Sequence, residues 1–249
     1  MQYGICNLSI VPVRIQPADA SEMVTQLLYG EYFKVLEERG KWSRIRIAFD
    51  SYEGWIDNRQ FIKVEESVYF ELSSETRKYS ADLIEFLTDE SGGLTTIALG
   101  SVLNSNASLK NTFEGSSISG IKEKSNLVNT ALLYLNAPYM WGGKTPFGID
   151  CSGLTQMVYM LNGYSLLRDA SQQATQGEAL SFIEESEPGD LAFFDNSEGK
   201  ITHVGIIMHD NHIIHVNGKV RIDRIDHSGI FNTELKRHTH QLRVIKKII

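Results

Sequence analysis

A glycine-rich aromatic run, Tyr139-Met140-Trp141-Gly142-Gly143, leads into Asp150-Cys151-Ser152-Gly153-Leu154, and no other stretch restricts the chain as much. Apolar residues then recur at helical spacing (Leu154, Val158, Leu161), which places Cys151 in the first turn of a helix behind a glycine loop. Unpaired N–H groups and the positive end of the helix dipole favour a thiolate there, so Cys151 reads as a nucleophile. Asp150 and Ser152 put a polar residue on each side of the thiol, a context that argues against burial, and Gly153 leaves room for a substrate backbone. Cys6, in an apolar N-terminal stretch, reads instead as a small buried hydrophobe.

Downstream, His203 (Thr202-His203-Val204-Gly205) and His215 (Ile213-Ile214-His215-Val216) lie in β-branched, strand-like runs joined through a hairpin turn at Asp210-Asn211. Counted outward from that turn the two histidines come out roughly opposite each other, as a base and its orienting partner should. His209 and His212 flank the turn, and His227, His238 and His240 sit in polar context; all five read as surface or packing residues. Zinc is the competing use of Cys151, His203 and His215. They supply only three ligands without a short Cys-x-x-Cys or His-x-x-x-His spacing, so neither a metal nor a cofactor is expected.

Residues 1–65 alternate short β patterns with turns (Leu8 to Ile15, Leu28 to Glu37, Trp42 to Phe49, Gly54 to Ile56), the pattern of a small barrel. Residues 66–122 hold two apolar runs among Ser, Asn and Gly clusters, which fits a second degenerate barrel or a bridging module. Helical spacing returns from Ser125 to Leu135, stops before Pro138 and opens a third segment, 123–249. The terminal Arg243 to Ile249 reads as an edge strand with gatekeeping charges. With 249 residues, 42% of them hydrophobic, the chain can bury a real core. Its net charge is −7 and its Lys and Arg are dispersed, so nothing argues for nucleic acid. There is no apolar run of about eighteen residues and no signal-like start, and the two cysteines read as unpaired; if Met1 is the true start, a cytoplasmic location is expected.

Together these motifs resemble the NlpC-type cell-wall cysteine peptidases, a circularly permuted papain-like group, here behind an N-terminal bacterial SH3-like domain. The resemblance runs through Tyr139 to Gly143, Ile149 to Leu154, Arg168 to Gln173, Pro188-Gly189-Asp190-Leu191, Thr202 to Ile206 and Ile214-His215-Val216, with Gly54-Trp55-Ile56 in the first segment. It implies an α+β fold, a papain-like catalytic domain preceded by one or more small β-barrels. Cys151 is then the nucleophile, His203 the general base and later acid, and His215 the polar residue that orients it.

The subgroup acting on free murein peptides, the γ-D-glutamyl-L-diamino acid endopeptidases, implies further positions. Tyr52 would reach into the active site, while Asp169 and Glu22 would hold the substrate's free α-amine. Trp141 would form a pocket wall, and Asp150 and Ser152 would line the groove. The implied partner is a murein peptide, L-Ala-γ-D-Glu-diamino acid, cut between D-Glu and the diamino acid to release the N-terminal dipeptide in cell-wall recycling, with neither nucleic acid nor membrane involved and the oligomeric state left open. Two alternatives remain: an acyltransferase with the same Cys-His site, and a non-catalytic cell-wall-binding protein.

Overall fold

Seven short strands shape the N-terminal part of the computed structural model, which describes residues 1–249: β1 (Gln2–Ile5), β2 (Ile10–Arg14), β3 (Met23–Leu28), β4 (Tyr32–Arg39), β5 (Trp42–Ile47), β6 (Glu53–Asp57) and β7 (Ile62–Val64). They pair antiparallel in the order β3-β2-β6-β5-β4-β1-β7 and curl around a core that includes Val11, Val13, Leu27, Phe33, Ile45 and Ile56. Cys6 is fully buried in the same core. The apolar run from Leu28 to Glu37 is broken into two strands at Gly30, whose φ of 79° is left-handed and whose missing side chain would overlap the Val102 carbonyl.

That contact is one of several that join residues 66–120 to the barrel. The segment comprises α1 (Glu66–Ser74), β8 (Lys78–Ser80), β9 (Ile84–Asp89), β10 (Leu94–Ala98), α2 (Asn106–Leu109), β11 (Asn111–Phe113) and β12 (Ser117–Ser119). Its strands form a three-stranded sheet, β10-β9-β11, and a separate β12-β8 pair. Leu87, Ile97 and Leu103 share a small core with Tyr29, and Met1–Gly120 makes one compact unit.

Ile121–Ile249 makes the other. It begins with α3 (Asn126–Leu132), β13 (Lys144–Thr145), β14 (Gly148–Ile149), α4 (Cys151–Leu161), α5 (Ala170–Gln173) and β15 (Glu178–Leu180). There follow β16 (Leu191–Asp195), β17 (Ile201–Met208), β18 (His212–Asn217), β19 (Lys219–Asp226), β20 (Gly229–Asn232) and β21 (Arg237–Lys247). The sheet order is β15-β21-β16-β17-β18-β19-β20, and β20 also pairs with β21, which closes the last six strands on themselves. Phe194, Ile207, Ile213, Ile225, Ile230 and Ile245 pack together. Every residue of α4 from Ser152 onward is buried, because the helix lies against β17 and β18 while α3 covers it.

The C-terminal run is therefore no edge strand. β21 bonds to β15, β16 and β20, with Ile245 buried between exposed Arg243 and Lys247, so its charges mark the outer face of a closed sheet. No helix of the structure is long and apolar enough to cross a membrane.

Candidate active site

The glycine loop exists to let backbone meet backbone. Gly142 adopts a φ of 74°, a side chain on Gly143 would overlap the Gly148 carbonyl, and one on Gly153 would overlap the Gly143 carbonyl. The close approach that the sequence offers to a substrate at Gly153 is thus taken up by the protein's own loop.

Asp150 fastens that loop to α4. Its carboxylate caps the helix by accepting from Gly153 N–H at 2.6 Å and also accepts from Gly142 N–H at 2.8 Å. Arg168 grips it with both terminal nitrogens, Nη1 to Oδ1 at 2.9 Å and Nη2 to Oδ2 at 2.8 Å, and Nη1 also donates to Ser152 Oγ at 2.9 Å. Asp150, Ser152 and Arg168 are 7%, 6% and 1% exposed, so the polar residues flanking the nucleophile are buried, against the sequence expectation. The reason is the guanidinium: it arrives from beyond the helix and satisfies both.

Cys151 is half-buried, and its sulfur accepts from the backbone N–H groups of Ser152 and of Val204 on β17, which brings the thiol to the strand that carries His203. Burial and the Asp150 carboxylate push the thiol up to about 12, against these N–H groups and Arg168. Burial, reinforced by His215 and His240, holds the His203 imidazole well below its ordinary range. Both shifts favour the uncharged forms, a thiol and a neutral imidazole. The thiolate expected from the helix start is opposed by desolvation, the larger effect here.

The β17–β18 register pairs Gly205 with His215, so His203 lies diagonally from His215 on the same face and not opposite it. The intervening turn places Asp210 and Asn211 at positive φ, 57° and 55°. The absence of a side chain at Gly205 matters, since its Cβ would come within 2.9 Å of His215 Cβ. The diagonal pair is joined, His203 Nε2 to His215 Nδ1 at 2.9 Å. Behind it, His215 Nε2 lies 3.0 Å from Oδ2 of Asp223, a residue of β19 that is 3% exposed. Arg221, also on β19, donates from Nη2 to Asp223 Oδ1 at 3.0 Å, and Glu234 in turn faces Arg221 Nη1 at 3.3 Å. Burial would raise the Asp223 carboxyl, yet His215 and Arg221 outweigh it and leave it below the usual range. Burial lowers His215 against the pull of Asp223.

His240, read from sequence as a surface or packing residue, stacks on His203 with ring centroids 4.2 Å apart and planes at 25°. Its Nδ1 meets Thr239 Oγ1 at 2.9 Å, and burial pushes its imidazole down to about 4. A bulge aims it: Ile230 pairs with His240 but Phe231 pairs with His238, leaving Thr239 over, and Gly229 at φ 138° makes room for the His240 carbonyl. One ring nitrogen from each of His203, His215 and His240 lies within 4.8 Å of the others, a spacing open to a metal ion. His215 already engages both of its nitrogens within the fold, and His240 engages Nδ1.

Asp169 is the N-cap of α5, half-buried beside Arg168, and its N–H donates to Gln172 Oε1 at 3.1 Å. Trp141 stands 59% exposed in the loop before the nucleophile, with Tyr139 and Met140 exposed next to it. Tyr52 and Glu22 belong to the first unit. Tyr52 packs against the barrel core at the turn before β6, and Glu22 is exposed just ahead of β3. Cys151, His203 and His215 are thus gathered in the second unit, and sequence reading missed the three residues that hold them, Arg168, Asp223 and His240.

Residues 136–242 match the NlpC/P60 family, and residues 13–61 match the bacterial dipeptidyl-peptidase SH3 domain. The gamma-D-glutamyl-L-lysine dipeptidyl-peptidase of Bacillus subtilis is 28% identical over 77% of this chain and 71% of its own. Dipeptidyl-peptidase 6 of Lysinibacillus sphaericus is 27% identical over 85% of this chain and 87% of its own. A crystal structure of an NlpC/P60 family protein from Bacillus cereus aligns over 99% of both chains with a TM-score of 0.79 at 18% identity, which establishes a common fold.

Proposed function

We propose, for a chain that carries an NlpC/P60 cysteine peptidase domain behind a bacterial dipeptidyl-peptidase SH3 domain, that it hydrolyses the bond between D-Glu and the diamino acid in free murein peptides. The observation that carries the reading is the meeting of Cys151, at the start of α4, with a β17 whose His203 is seated on His215. Cys151 attacks the γ-carbonyl as its proton passes to His203, and N–H groups at the helix start face the developing oxyanion. The imidazolium then protonates the leaving amine. The thioester is hydrolysed by water from which His203 takes a proton, and the thiol is restored.

Release of a dipeptide from the free N-terminus is supported by the names of the two relatives that span most of the chain. In this reading Asp169 faces the substrate ammonium and Trp141 forms a wall of the groove. An N-acylated peptide would bring no ammonium to the Asp169 carboxylate, which discriminates against intact wall and directs the enzyme to turned-over fragments inside the cell.

Incubation with L-Ala-γ-D-Glu-L-Lys and with its N-acetyl form, followed by mass spectrometry, tests the proposal. The free tripeptide is expected to be cut far faster, without any added acyl acceptor. Asp169→Asn is expected to slow the free peptide much more than the acetylated one. Equal rates on both peptides, or ready digestion of intact sacculi, would defeat the assignment to free fragments.

A further inference from the structure

A neutral imidazole carries one N–H and one lone pair, so a chain of neutral histidines has a direction that is fixed wherever one end is fixed. Here the fixed end is Asp223. It sits 3% exposed against His215 Nε2 at 3.0 Å, and Arg221 covers it with Nη2 on Oδ1 at 3.0 Å and Nε 2.7 Å from Oδ2. A carboxylate held by a guanidinium has only lone pairs to offer, so His215 must donate Nε2–H to it. His215 Nδ1 then presents its lone pair to His203 Nε2, 2.9 Å away, and His203 must donate in turn. What is left on His203 is the lone pair of Nδ1, the nitrogen not tied to His215.

We infer that Asp223 is a positioning residue that sets the tautomer of both histidines, so that His203 always offers Nδ1 as the base for Cys151. The inference rests on Cys151 and His203 as the reacting pair. It adds a carboxylate to the Cys-His-His set and makes Arg221 its guard, since a neutral side chain or a protonated acid at 223 could hold the relay the other way round. When His203 accepts the thiol proton its Nε2–H remains in place, and the positive charge is stabilised through His215 by Asp223. The other groups packed on His203 leave this direction alone: His240 on β21 stacks on it and Phe194 on β16 is apolar.

Asp223→Asn tests the relay, because an amide can donate to His215 Nε2 and turn both rings over, leaving Nδ1–H on His203 facing the thiol. Nitrogen-15 spectra of the histidine rings at neutral pH are expected to show Nε2–H on His203 and His215 in the parent and in Asp223→Glu, and Nδ1–H on both in Asp223→Asn. With the free tripeptide, kcat in Asp223→Asn is expected to fall by about 10³ to 10⁴, the order found for a wrongly held catalytic imidazole, with KM little changed. In a His215→Asn background, where the amide carbonyl accepts from His203 whatever lies behind it, the same substitution is expected to cost less than about tenfold.

Equal losses in both backgrounds would overturn the inference, as would parental tautomers in a folded Asp223→Asn. Should that variant fail to fold, a parental His203 carrying Nδ1–H overturns it alone. The spectra need no substrate, so they separate a failure of the relay from a failure of the peptidase assignment, which Cys151→Ala reports.

Discussion

Replacing Arg168 by methionine removes a guanidinium that is 1% exposed and leaves Asp150, 7% exposed, with its charge but without its counter-ion. Methionine fills most of the same volume, so the cost is electrostatic and polar, not a cavity. Breaking a buried pair from one side costs about 3–5 kcal/mol. Asp150 keeps the N–H groups of Gly142 and Gly153, which places the expected loss near the lower end, about 3 kcal/mol. Asp150→Asn/Arg168→Met removes the charge as well and is expected to recover at least about 2 kcal/mol relative to the sum of the single changes. Because the chain has two compact units, the reading should come from the catalytic one alone: urea-dependent hydrogen exchange of the peptide covering α4, Cys151–Leu161. A single substitution that costs under about 1 kcal/mol there, or a double substitution that is merely additive, would refute the claim that Arg168 holds the nucleophile loop through Asp150.

The remaining predictions concern the site itself. Cys151→Ala and His203→Ala are each expected to abolish turnover with the fold intact, while His215→Asn should be milder because an amide can still accept from His203; more than a few per cent residual activity in Cys151→Ala would dismiss that nucleophile. With His203 held well below its usual range and the Cys151 thiol pushed up to about 12, kcat/KM should stay level from about pH 6.5 to pH 9, its limbs belonging to the coupled pair; a fall centred at pH 6.5 in stopped assays would contradict those shifts. His240 has its folded pKa depressed to about 4, below its unfolded value, so the stability it contributes is present above about pH 6.5 and lost on acidification toward pH 4. His240→Phe should therefore lose less stability than the parent between pH 7 and pH 5, measured by urea midpoints, and identical losses would count against it.

Local signals account for what could be read without the structure. A glycine loop before a helix, a β-branched hairpin and an Asp-Asn turn each act within a few residues, and they marked Cys151, His203 and His215. Arg168, Asp223 and His240 depend on partners that only the closed sheet brings near. Strand alternation even misleads at β19, where Ile222 is 36% exposed and Asp223 is buried. An isolated acid buried in a strand would be penalised, and only the convergence of His215 from β18 and Arg221 from its own strand makes the inverted pattern favourable. His240 was hidden for another reason. A bulge at Thr239 displaces it by one position, and a period-2 reading passes over bulges. The strand at Met23–Leu28 was likewise missed, since Leu27 and Leu28 run on in sequence toward Tyr32 and only Gly30 interrupts them.

β21 is the last strand of its unit in chain order, and it bonds to β15, β16 and β20 while carrying the imidazole stacked on His203. During synthesis, then, Cys151, His203, His215 and Asp223 all leave the ribosome before the strand that closes the sheet. A nascent chain that has reached β20 has an open sheet edge on β16 and a gap beside His203 where His240 stacks. Closure of the sheet and the stacking of His240 on His203 thus arrive with one strand, after Cys151, His203, His215 and Asp223 are already in the chain.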